Sequence, residues 1–260
     1  MTTKIIYRGL SLLDDAPIIV LAKDDSTNRK TGMMMQTYII REDVEPSEAN
    51  RTGKDFSICG TCEHRGTASE AKTEGLAVSR SCYVEMRGIT AMYKAYKKGR
   101  YKDISASPDA VADYAKGRKV RLGAYGDGAV VPSRVWDNLL KYSTGHTGYT
   151  HQVNQPRADV RRDLYMISTD SLKQSLTAWA GKERARTFRV ITEGDQIQPN
   201  EIICPATPES PNEIKTTCYD CRLCDGVTAR TNNAPSIVVF VHGSAGKVNF
   251  INRVNRRTVC

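Results

Sequence analysis

Seven of the eight cysteines in this 260-residue chain fall into two groups, and any fold the chain adopts must bring each group together in space. The first group is Cys59-x2-Cys62, with Cys82 further on and His64 two residues after Cys62. The second is Cys204-Pro205 followed by Cys218-x2-Cys221-x2-Cys224, while Cys260 ends the chain without a local partner. A C-x2-C turn places two thiolates on one metal or cluster, because the two intervening residues let the backbone fold around it with N–H groups facing the sulfurs. Three thiolates from one tight loop suit three corners of a [4Fe–4S] cubane, and Cys204-Pro205 suits the remote fourth. A four-cysteine zinc site is the alternative for this group, although zinc sites usually use two separated pairs. For the first group, His64 would complete a tetrahedral zinc site with Cys59, Cys62 and Cys82. The three cysteines alone would instead hold a [4Fe–4S] cluster with one iron lacking a protein ligand, open to the amino and carboxylate groups of S-adenosylmethionine.

Metal rather than disulfide chemistry follows from the rest of the chain. Folding at this length removes roughly 70–75% of the unfolded surface from water, so no staple is needed to reach foldable size. No apolar run is long enough to span a membrane, and Met1–Ile6 is too short an apolar start for a secretory signal. A cytoplasmic location without membrane contact is therefore expected, where clustered thiols stay reduced. The 38 Lys+Arg against 29 Asp+Glu give a net charge of +9, which favours polyanionic partners.

Strand-like runs appear at 120–125, 148–151, 164–168, 187–191, 201–204 and 237–241, with earlier ones at 18–22 and 33–40, so six to nine strands are expected. Helical spacing runs from about Cys82 to Lys98, through Ser133–Tyr142 and through Ser171–Lys182, and Ser107-Pro108-Asp109 opens another helix. The polar segment Arg41–Lys54 reads as a loop feeding Cys59. Alternating strands and helices predict an α/β fold, a complete or partial (β/α) barrel carrying iron–sulfur or zinc-binding loops, with an open parallel α/β sheet as the alternative. The chain reads as a single domain over 1–260. Within it, 55–102 holds the first cysteine cluster and a basic helix, 118–243 holds the βα series with the second cluster at 204–224, and 244–260 is a basic tail.

Parallel α/β folds assemble their sites at the carboxyl ends of the strands. There the chain places Asp127, His151, Asp170 and His242, which are the pocket candidates. Capping of the following helices is the alternative role for Asp127 and Asp170.

Several segments together resemble a family encoded by bacteriophages and mobile elements. They are Ser57–Arg65, Ser81–Val84, Lys94–Tyr101, Leu122–Asp127, Thr147–Gln152 and Thr217–Cys224, within a resemblance covering roughly residues 28 to 243. It implies a phage-derived protein of the infected bacterial cytoplasm and assigns no activity. More distantly, a cluster-bearing segment before a βα series, with an auxiliary C-x2-C-x2-C site, resembles radical S-adenosylmethionine enzymes. That resemblance implies a (β/α) barrel with a three-cysteine cluster at its strand ends and a glycine-rich strand end for the cofactor, here Gly123, Tyr125 and Gly126. The chain departs from that family's C-x3-C-x2-C signature, since Cys59, Cys62 and Cys82 read C-x2-C-x19-C.

Basic residues concentrate at Lys94, Lys97, Lys98, Arg100 and Lys102, interleaved with Tyr93, Tyr96 and Tyr101, and again at Arg253, Arg256 and Arg257. Cations that neutralise phosphates and tyrosines that stack on bases would suit a nucleic acid, and a solvated helix face with the tyrosines in the core is the alternative. No phosphate loop, nucleophile elbow or H-E-x2-H motif is present, and Gly243–Lys247 has the wrong spacing for the first. Two functions from different classes fit. One is a radical S-adenosylmethionine-like iron–sulfur enzyme acting on a nucleic acid or nucleotide-related substrate. The other is a non-catalytic protein in which iron–sulfur or zinc sites hold basic loops against nucleic acid or a host protein.

Overall fold

The computed structural model describes residues 2–24, 26, 28–69, 71–181, 185–210, 216–241 and 247–251. His242, Arg253, Arg256, Arg257 and Cys260 lie outside these residues, as does most of the Gly243–Lys247 turn. Ten strands form one sheet: β1 Thr3–Leu10, β2 Pro17–Lys23, β3 Met35–Arg41, β4 Lys102–Asp103, β5 Lys119–Tyr125, β6 Gly145–Thr150, β7 Met166–Thr169, β8 Thr187–Ile191, β9 Glu201–Ile203 and β10 Ser236–Phe240. Two of these escape the sequence pattern for a physical reason. β4 is two exposed residues, and β1 buries only Ile5 and Ile6, so neither shows the alternation that marks a half-buried strand.

The strand order is β4-β1-β2-β3-β5-β6-β7-β8-β10-β9, and from β3 to β9 every neighbouring pair is parallel. β1, β2 and β3 pair antiparallel. Among the described residues no pairing joins β4 to β9, which fits the open parallel sheet rather than a complete barrel. Along the parallel run the order follows the chain until the final exchange of β9 and β10. Crossovers of one hand that always step the same way put their helices on one face of the sheet. On that face lie α4 Pro108–Tyr114, α5 Ser133–Leu140 and α6 Leu172–Ala180. The main core is here, with Trp136 fully buried and its indole N–H donating to the Gly128 carbonyl at 3.0 Å.

The other face lines a cavity. Gln36 and Tyr38 of β3, Arg121 and Gly123 of β5, Thr147 and Tyr149 of β6, Ser168 of β7, Phe188 and Val190 of β8, and Ile237 and Val239 of β10 all face one space of about 700 Å³. Their spacing of two along each strand is the pleat itself, with Val120 and Leu122 pointing the opposite way into the core.

Two expectations about the approach to the site are corrected. Arg41–Lys54 is not a plain loop: Pro46–Thr52 is a helix, α1, because Glu45 accepts from the N–H groups of Ser47 and Glu48, Pro46 sits at the first position, and Gly53 closes it at φ 81°. The next helical turn, α2 Phe56–Cys59, delivers the first cysteine. The long basic helix, α3, starts at Met86 rather than Cys82 and ends at Lys97. Arg80 explains the delay, since its guanidinium holds the carbonyls of Cys82 (2.9 Å) and Val84 (2.8 Å) out of a helical ladder. The expected helices at 107, 133 and 171 form, with Ser107 and Ser171 as N-caps. No described helix is long and apolar enough to cross a membrane.

At the far edge, Arg189 of β8 and Glu201 of β9 reach across β10 as a bidentate pair at 2.9 and 2.6 Å, with side chains 3% and 0% exposed. Removing one partner strands a charge in the core. Glu201→Ala is therefore expected to destabilise the chain by about 3–5 kcal/mol, and combining it with Arg189→Leu to recover much of the loss. Urea unfolding midpoints of the three chains test this, and a midpoint unchanged in Glu201→Ala would refute it.

Candidate functional site

The C-x2-C turn of Cys59 and Cys62 hangs from the carboxyl ends of β5 and β6. The buried Asp127 carboxylate accepts from the backbone N–H of Ala129 (3.0 Å) and His151 (2.8 Å) and from the Gln152 amide (3.0 Å). Gln152, fully buried, also donates to the Cys59 carbonyl at 2.9 Å and accepts from the Thr61 N–H at 3.2 Å. From the other side the Asp127 N–H donates to the Ile58 carbonyl at 2.7 Å. Gly60 makes this fit possible: its φ is +52°, and a Cβ there would lie 1.9 Å from the Gln152 side-chain oxygen. Arg65 clasps the turn from below, donating to the carbonyls of Gly60 and Gly53, both at 2.8 Å, while pairing with the buried Asp55.

Cys82, distant in sequence, returns by backbone pairing. Thr67 and Val78 form an antiparallel bridge, and the N–H groups of Ser81 and Cys82 both donate to the His64 carbonyl at 3.1 and 3.0 Å. The thiols of Cys59, Cys62 and Cys82 then lie close enough to influence one another electrostatically. Burial pushes the Cys59 thiol well up, and Asp55, Cys62 and Cys82 push it further; burial likewise raises Cys82. Such thiols stay protonated without a cation, and a bound metal supplies the charge that ionises them.

His64 is buried and both its ring nitrogens are engaged. Nδ1 lies 2.9 Å from the Ser81 hydroxyl and Nε2 lies 2.8 Å from the Asp170 carboxylate. Phe250 stacks on its ring at 5.6 Å between centroids, and His151 meets it edge-on at the same distance. His64, His151 and Asp170 have ligand atoms all within 4.8 Å of one another; among the described residues no cysteine trio is as close. His151 Nε2 lies 3.7 Å from Asp170. Burial opposes a charge on His151, but Cys62 and Asp170 outweigh it and raise its pKa well above the usual value. Burial opposes ionisation of Asp170 too, and the two histidines reverse this and hold the carboxyl far below its usual range.

The second group lies toward the amino ends of β3, β5 and β6. The N–H groups of Cys218 and Tyr219 donate to the carbonyls of Lys30 (2.9 Å) and Thr31 (3.1 Å), the Lys119 ammonium to the Tyr219 carbonyl (2.8 Å), and the Arg222 guanidinium to the Thr144 carbonyl (2.6 Å). The loop starts with α7, Cys218–Cys221, capped by Thr217 and closed by Arg222 at φ 53°. Cys204 follows β9, its N–H on the Val238 carbonyl at 2.8 Å, and the Cys224 carbonyl accepts from the Gly148 N–H at 2.9 Å. Burial raises the thiol pKa of Cys204, Cys218 and Cys224, and mutual repulsion within the group adds to it.

All seven grouped cysteines line this same cavity, with Asp127, His151, Asp170, Gly123, Tyr125 and Gly126. Asp127 caps the short turn Gly128–Val130, as its alternative role anticipated, and holds the cysteine turn as well. Asp170 is not a cap, since Ser171 takes that position before α6. Gly126 turns the chain at the end of β5 with φ +78°, where a Cβ would meet Ile39 at 2.7 Å, so its glycine is explained by the turn alone. The sequence assigned no site role to Gln152, Ser81, Arg121 or Thr147, although Gln152 stands beside His151 at a polar strand end and Arg121 closes the basic stretch Lys116–Arg121. Lys94, Lys97, Lys98, Arg100 and Lys102 are exposed, whereas Tyr93 is buried and Tyr96 and Tyr101 are half-buried against the core. Comparison with protein families, with curated proteins and with solved structures yields no match.

Gln152→Leu keeps the side chain's bulk and removes its bonds to Cys59, Thr61 and Asp127. Alkylation of Cys59 and Cys62 in metal-free protein should speed up about tenfold, as a local loss of about 1.4 kcal/mol implies. Cys204, Cys218, Cys221 and Cys224 should react at unchanged rates by mass spectrometry. Equal acceleration of both groups would contradict the tether.

Proposed function

We propose that this chain is an iron–sulfur protein resembling radical S-adenosylmethionine enzymes, with Cys59, Cys62 and Cys82 holding a three-thiolate cluster and Cys204, Cys218, Cys221 and Cys224 an auxiliary one. The engagement of both His64 ring nitrogens carries this reading. A histidine held by Ser81 and Asp170 is not free to complete a Cys3His zinc site, so the first group remains a set of three. The parallel run β3-β5-β6-β7-β8-β10, curling around a cavity with the three-cysteine set at its carboxyl ends, supports a partial barrel as the scaffold.

A cluster held by three thiolates keeps one iron for S-adenosylmethionine and supplies one-electron chemistry to it. The chain's own residues shape the approach to that position: Tyr125 and His151 face the cavity beside the cysteines, and Phe250 covers His64. A nucleic-acid or nucleotide-related substrate belongs to this reading because of the +9 charge and the exposed cations on and after α3. The inward placement of Tyr93 and Tyr96 leaves contact to those cations rather than to stacked bases.

Anaerobic purification with iron, sulfide and zinc quantification tests the proposal. Iron and sulfide in matching amounts are expected, with an absorbing visible spectrum. His64→Gln should keep the iron, Cys82→Ala should lose that of the first site only, and S-adenosylmethionine should change the spectrum of the wild type but not of Cys82→Ala. A colourless protein with stoichiometric zinc would overturn it, as would loss of the first site's metal in His64→Gln.

A further inference from the structure

Toward its four-cysteine end the cavity carries two polar groups with buried atoms that no described residue satisfies. Arg121 and Thr147 are direct partners in the pairing of β5 with β6, and both face the cavity. Thr147 is 2% exposed, and among the described residues neither its hydroxyl nor Arg121 Nε, both buried, has a hydrogen-bond partner. No described carboxylate pairs with Arg121. Its guanidinium lies 5.8 Å from the Tyr149 ring centroid. Unpaired donors at adjacent register positions are costly unless a ligand completes them.

We propose that Arg121 and Thr147 form an oxyanion-binding site, taking the carboxylate or phosphate of a small molecule that enters this cavity. Charge along the cavity orients such a ligand. Lys30 and Arg121 stand toward the four-cysteine end and Asp170 at the three-cysteine end, so the anionic group faces away from the carboxylate. Between them Tyr149 and Phe188, 4.7 Å apart edge-to-face, offer an aromatic wall for the uncharged body. About 700 Å³ is within the range of small-molecule sites. The site is independent of which metal the cysteines hold.

Calorimetric titration of the full chain with inorganic phosphate and, separately, with acetate tests the site and separates its two sources of oxyanion. One or both should bind saturably. Arg121→Gln should weaken the better anion about tenfold or more, Arg121→Lys should weaken it less, and Thr147→Val should weaken it by about threefold. Circular dichroism and metal content of each variant show whether it has folded; should Arg121→Gln fail to fold, Arg121→Lys and Thr147→Val decide. Absence of binding of either anion to the wild type would overturn the proposal. So would an affinity unchanged by Thr147→Val, because Arg121 would then serve only to balance charge at the four-cysteine group.

Discussion

The carboxylate of Asp127 is the joint of this structure. It sits at the end of β5, almost out of reach of water, and a carboxylate so placed must find donors inside the protein. It finds three, one from its own turn, one from the end of β6 and one from Gln152, and each fixes a different piece of chain. Through Gln152 the same requirement reaches the Cys59 carbonyl, so the position of the first cysteine turn is set by the need to satisfy one buried charge. Replacing it would not merely remove three bonds; it would disconnect two strand ends from the loop that carries the thiols.

Much of the architecture was legible because hydrophobic burial imposes a period. The strands from β5 to β10 and the helices at 107, 133 and 171 appear in the pattern of apolar residues, and the convergence of Asp127, His151 and Asp170 follows from the rule that parallel strands end at a common rim. What was illegible depended on single polar contacts. Nothing in the spacing of Arg80 says that it holds two carbonyls and postpones α3, and nothing in Glu45 announces the cap that turns Pro46–Thr52 into a helix. The engagement of His64 belongs to the same class, since its partners lie 17 and 106 residues away.

Between the two cysteine groups the inner face of the sheet changes character. The carboxyl-terminal end is built from histidines and acids locked together, the middle from aromatic rings and branched aliphatic side chains, and the amino-terminal end from lysine and arginine. Such a gradient follows from the parallel arrangement, because residues at equal depth on neighbouring strands stand side by side and polar positions collect into layers. Iron–sulfur sites at both ends would then face each other through a mainly apolar interior, which lowers the dielectric and strengthens every electrostatic contact within it.

The excursion between Gly66 and Ser81 has a consequence for recognising chains of this kind. Cys82 reaches its partners because its backbone N–H rests on the His64 carbonyl and because Thr67 pairs with Val78, not because of the number of residues between them. Beyond that bridge the segment is held to α1 by a few bonds, the Ser69 N–H to the Arg51 carbonyl and the Ala77 N–H to Asn50 among them, and a longer loop between such anchors would cost little, since loop-closure entropy rises only slowly with length. Relatives of this chain would then share a geometry rather than a ruler, and a signature written as fixed intervals between cysteines would pass over them. A pattern anchored on the C-x2-C-x-H-R turn, followed at any distance by Ser-Cys, describes the constraint that the backbone enforces.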